Sequence, residues 1–123
     1  MDISELLQKI EPYKTGTTSR SWTKRTISFN NEYIEAKRIG SSNKWLGTPH
    51  ASKLEKMWSI IIDQKKSFCS LLNYRKLSKV LNIRLTQVKT GEFKGYWGIR
   101  IYGMKQEPTD EIIFDILNYI FDE

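Results

Sequence analysis

The chain has few of the residues that staple small proteins together or act chemically on their own. Its 123 residues include one cysteine, Cys69, and one histidine, His50. A lone cysteine closes no disulfide within the chain, so the expectation is a reducing, cytoplasmic setting and a fold held by packing. Two such residues cannot fill the four-ligand shell of a structural zinc site, and no metal or other cofactor is expected. One histidine rules out nucleases built on a histidine pair, and no serine or cysteine nucleophile motif accompanies it. His50 therefore reads as a surface or capping residue, and Cys69, set among Phe68, Leu71 and Leu72, as a small core residue. Long apolar runs are also missing. The longest are a few residues, such as Ile60-Ile61-Ile62, against the ~20 needed to cross a bilayer. With no basic-then-apolar leader, the expectation is no membrane association and no export.

What is there belongs to a folded chain. A hydrophobic fraction of 39% beside 28% charged residues, with three prolines, is globular composition, and the length suits a single compact domain over 1–123. The net charge of +6 is unevenly spread. Residues 1–105 hold all 20 lysines and arginines with eight acids, hence +12, while 106–123 hold six acids and no base, hence −6. A basic body is the electrostatic footprint of a phosphate-backbone binder. The acidic end either packs away from that surface or lies against it and screens it.

Periodicity switches between 3.6 and two along the chain. Asp2 with Glu5 forms a capping box ahead of Leu6, Leu7 and Ile10, predicting a short helix over about 3–10 that Pro12 ends. Residues 13–21 read as a polar loop carrying Arg20. Alternation at Ile27 and Phe29, a turn at Asn30-Asn31 and renewed alternation from Tyr33 to Ile39 predict a hairpin with Ile27 opposite Ile34. Residues 40–51 read as a connection. Ser52 and Glu55 form a second capping box, and Leu54, Met57, Trp58, Ile61 and Ile62 recur at helical spacing, predicting a helix over 53–66. Trp45-Leu46-Gly47-Thr48 ahead of it resembles the close of the plant ethylene-response type DNA-binding domain, a three-stranded sheet packed on a helix; no function is carried over from those residues.

Tyr74–Leu81 predicts a further short helix with Leu77, Val80 and Leu81 inward. A second hairpin spans Ile83 to Tyr102, and a three-residue turn at 90–92 opposes Ile83 and Leu85 to Ile99 and Trp97. That register gathers Ile83, Leu85, Phe93, Trp97, Ile99 and Ile101 on one face. Pro108-Thr109-Asp110-Glu111 then starts a helix over about 110–121, with Ile112, Ile113, Ile116, Leu117, Ile120 and Phe121 as its apolar stripe. The expected fold class is α+β: two antiparallel hairpins forming a small sheet packed by two main helices, with short extra helices.

Two basic clusters are candidates for binding. The outer face of the second hairpin carries Arg84, Lys94, Tyr96, Arg100 and Tyr102, where rings would stack on unpaired bases and cations would hold phosphates. The alternative is an ordinary solvated strand surface. Around the first hairpin lie Arg20, Trp22, Lys24, Arg25, Lys37, Arg38, Lys44 and Trp45, suited to phosphate contacts, or to solvation beside tryptophans that cover the core edge. Glu35-Ala36-Lys37 matches the E-x-K half of the PD-(D/E)xK nuclease motif, in which two acids hold a divalent metal, but residues 12–31 contain no acid to complete it. Gly95, Gly98 and Gly103 lack a strand-to-helix setting for a phosphate loop and suit twist or bulges. The favoured function is a nonenzymatic nucleic-acid-binding module, DNA or RNA. Its rivals are a small inhibitor of the kind phages and mobile elements encode, docking on a nucleic-acid enzyme, and a metal-dependent nuclease using Glu35 and Lys37.

Overall fold

The computed structural model describes residues 2–16, 24–46, 53–64 and 72–121. At the N-terminus the Asp2 carboxylate accepts a hydrogen bond from the Glu5 N–H at 2.9 Å and starts helix α1, Ile3–Ile10, as its capping box predicts. Pro12 falls in a single 3-10 turn, Glu11–Lys14, that closes the segment. Strands β1 (Lys24–Asn30), β2 (Ile34–Leu46) and β3 (Lys53–Gln64) follow as an antiparallel meander. Helix α2 (Leu72–Ser78), strands β4 (Ile83–Gln87) and β5 (Trp97–Tyr102), and helix α3 (Asp110–Phe121) complete the order. The five strands line up as β1-β2-β3-β5-β4, so β5 lies between β3 and β4 and runs antiparallel to both. The class is α+β, with an open antiparallel sheet and helices on one face.

Of the segment 53–66, expected as a helix, the described residues Lys53–Gln64 are instead strand β3 at the sheet centre, and residues 40–46, expected as a connection, are the second half of β2. The outer face of β3 mixes buried, apolar Met57 and Ile61 with polar Ser59 and Asp63, so the strand shows no clean period of two. Trp58, Ile60 and Ile62 are buried in the main core while Met57 and Ile61 are buried on the other side, and together these positions imitate helical spacing. The β-branched run Ile60–Ile62 fits a pleated strand better than a helix. With strand β3 where that resemblance needs a helix, the resemblance at Trp45-Leu46 fails as well.

Both hairpins form in a different register from that expected. In the first, Asn30 pairs with Glu35 and Phe29 with Ala36, so the connection is longer than Asn30-Asn31. The Asn31 side chain organises it by accepting from the Tyr33 and Ile34 N–H groups at 2.8 and 2.9 Å. Ile27 and Phe29, two residues apart, both serve the core side, and the register shifts between Thr26 and Phe29. In the second hairpin Ile83 pairs with Ile101 and Leu85 with Ile99, two residues beyond the expected pairing, which preserves the face because a strand repeats every two residues. Val80 is exposed rather than inward, since α2 ends at Ser78 and the chain turns through Lys79-Val80.

One core joins all three helices to one sheet face: Leu6 and Ile10 of α1, Leu77 of α2, and Ile112, Ile113, Ile116, Leu117, Ile120 and Phe121 of α3, the whole expected stripe. Phe114 stacks on Phe29 with centroids 4.7 Å apart. Trp58, almost wholly enclosed, donates from its indole to the Met104 carbonyl at 3.0 Å. The free edge of β4 is closed by Tyr74, whose hydroxyl accepts from Leu85 N–H at 3.1 Å and donates to the Ile83 carbonyl at 3.4 Å. No helix among the described residues is long and apolar enough to cross a membrane.

Candidate functional site

Because the helices share one sheet face, alternate residues of every strand project from the other, which no described helix covers. The strand pairings arrange these residues in rows. One row reads Thr26, Arg38, Ile61, Gly98, Thr86, and the next reads Lys24, Gly40, Ser59, Arg100, Arg84. Lys24 and Arg38 of one basic cluster and Arg84 and Arg100 of the other, separate in sequence, therefore meet on a single surface, joined through β3.

Arg84 and Arg100 are direct cross-strand partners, and both are exposed. Like charges facing each other in a sheet destabilise it, and no ion pair among the described residues involves Arg38, Arg84 or Arg100. Arg84 instead lies 5.6 Å from the centre of the Tyr102 ring. Tyr102, expected as a surface stacking residue, is 5% exposed. Paired with buried Met57 and approached by Arg84, it supports the arginine and is closed to a base.

At the other end of the face the chemistry changes. Glu35 and Asp63 are cross-strand partners, and Lys37 bridges to Glu35 at 2.8 Å. That hydrogen bond raises the Lys37 pKa from its ordinary 10.5 against a smaller opposing effect of desolvation, with Tyr96 and Asp63 adding weaker attraction. The E-x-K segment thus faces a second carboxylate that follows it in the chain rather than preceding it. Among the described residues no group of three or more His, Cys, Asp and Glu side chains could hold a metal ion.

Phe93, expected on the core side, lies instead in the β4–β5 connection, where the Arg38 guanidinium sits 4.6 Å over its ring. Its ring meets Tyr96 edge to face at 5.4 Å and an interplanar angle of 60°. The nine-residue connection ends the alternation that the expected short turn would have prolonged. Lys94 is exposed on the same loop.

Arg25 leaves the site. It projects to the helix side, donating to Glu107 at 3.1 Å, to Asp110 and to the Pro108 carbonyl at 3.1 Å. Partial burial works against its charge, but the bonds to Asp110 and Glu107 outweigh this and raise its pKa further. Lys9 likewise binds Asp115 at 3.1 Å and lies 3.9 Å from Glu111. The acids of α3 and the segment before it are thereby engaged on the helix layer, opposite the basic sheet face. Lys44 and Trp45 pair through their backbones with Glu55 and Leu54, and their side chains lie outside those described. Arg20, Trp22, His50 and Cys69 lie outside the described residues. Arg84 facing Arg100 was readable from a correct register, whereas the Arg38–Phe93 contact reaches across β3 between residues 55 positions apart and leaves no local signal. Compared with known proteins, the chain matches no family model, no curated sequence and no solved structure.

Proposed function

We propose that the chain is a nonenzymatic nucleic-acid-binding module whose ligand lies across the open sheet face. The observation that carries this reading is the facing pair Arg84 and Arg100, exposed and without a carboxylate partner among the described residues, with Lys24 in the same row and Arg38 in the next. A sheet that keeps an uncompensated like-charge pair gains from a polyanion that neutralises it. Gly98 beside Arg100 supports the same reading. A Cβ there would meet only ordinary contacts, Thr86 Oγ1 at 3.7 Å and Ser59 Oγ at 3.8 Å, so packing does not demand glycine, and glycine inside a strand otherwise weakens it. The lone Cys69 suits an intracellular ligand. Titrating the intact protein into labelled oligonucleotides at low salt tests the reading. Wild type should bind, and Arg84→Ala with Arg100→Ala should weaken binding severalfold while the fold persists. Indifference to every oligonucleotide would favour the inhibitor.

The Glu35–Asp63 pair, with Lys37 bonded to Glu35, favours one second reading, a metal-dependent nuclease. Magnesium-dependent cleavage abolished by either Glu35→Ala or Asp63→Ala would establish it in place of simple binding.

A further inference from the structure

We infer that Phe93 and Tyr96 form a stacking site for unpaired bases, making single-stranded nucleic acid the ligand class; this rests on the binding reading above. Charge divides the face into two parts. Lys24, Arg38, Arg84 and Arg100 occupy the rows suited to a phosphate backbone, whereas Glu35 and Asp63 occupy the row toward Tyr96. A phosphate is repelled beside two carboxylates; a neutral base is not. Lys37 offsets Glu35 there but leaves Asp63, so the end of the face near Tyr96 is less positive than the arginine rows and favours a base over a phosphate.

Both rings are half-buried, outside the main hydrophobic core, and each keeps part of its surface in solvent. Their loop is already ordered. Val88 N–H donates to Tyr96 O at 2.8 Å, Gly95 N–H to Val88 O at 2.9 Å, and Tyr96 N–H to Phe93 O at 2.9 Å. Gly91 and Gly95, at φ of +85° and +91°, supply the left-handed turns this path needs. A ring held in place loses little further entropy on binding. Arg38 starts from the row it shares with Ile61 and sets its guanidinium over one side of Phe93, linking the two parts of the face. A duplex hides its base faces in its own stack, so only an unpaired strand can use the rings.

The test compares an unstructured single strand carrying 2-aminopurine with the same sequence as a duplex. The single strand should bind tighter, with base fluorescence quenched on binding. Phe93→Leu and Tyr96→Leu should each weaken single-strand binding about 5- to 150-fold, the equivalent of about 1–3 kcal/mol of stacking per base, and abolish the quenching. Their salt dependence should stay that of wild type, since stacking releases no counterions. Phe93→Tyr and Tyr96→Phe, which keep an aromatic ring, should retain affinity and guard against loss through misfolding. Equal affinity for duplex and single strand, or leucine variants that bind and quench as wild type, would overturn the inference while leaving nucleic-acid binding intact. Failure to bind either form would remove the binding reading itself.

Discussion

Trp58 is the residue on which the core is most specific about shape and polarity at once. Its indole fills the layer between sheet and helices and satisfies the carbonyl of fully buried Met104. Trp58→Phe leaves that carbonyl unpaired, at an expected cost of about 1–3 kcal/mol. Urea denaturation should show a lower midpoint with an unchanged slope, and an unchanged midpoint would mean that the bond contributes nothing. At this scale some of the site was readable. Arg84 and Arg100 were identified from alternation alone, because alternation survives a two-residue error in register. Tyr102 and Phe93 exchanged roles for a physical reason. Alternation assigns a face but not whether neighbours cover it, and it says nothing of a ring beyond the end of the strand.

Among elements, α1 and α3 were legible because each has a capping signal and a polar face against which its apolar stripe stands out. β3 was not, since buried Met57 and Ile61 on its outer face blur that contrast and Ser52 with Glu55 supplied a helix signal where a strand forms. The β4–β5 connection is the element on which the stacking site depends. No atom lies within 4 Å of a Cβ built at Gly95, so Gly95→Ala introduces backbone strain without a clash. The expected cost is about 1–2 kcal/mol from the left-handed conformation. The denaturation midpoint should fall accordingly, and amide exchange in the loop should rise more than in β3. Uniform exchange throughout would show that the loop is not held as described.

At the scale of the molecule, the described residues divide their charge across the sheet. Acids of α3 and its lead-in are engaged by Lys9 and Arg25 on the helix layer, while the opposite face gathers arginines and lysines. Composition revealed that the charges divide along the chain but could not say on which side each group would fall, because that depends on the strand order. Glu111→Ala should accordingly leave oligonucleotide affinity unchanged, whereas a screening tail would give tighter binding on its removal. The central claim is that the open face binds a phosphate backbone through Arg84 and Arg100. Its most direct test is the slope of log affinity against log salt for single-stranded oligonucleotide, in wild type and in Arg84→Ala with Arg100→Ala. The account predicts a clearly negative slope that flattens by about 0.7 for each arginine removed. A slope identical in both proteins, or no binding by wild type at low salt, would contradict it.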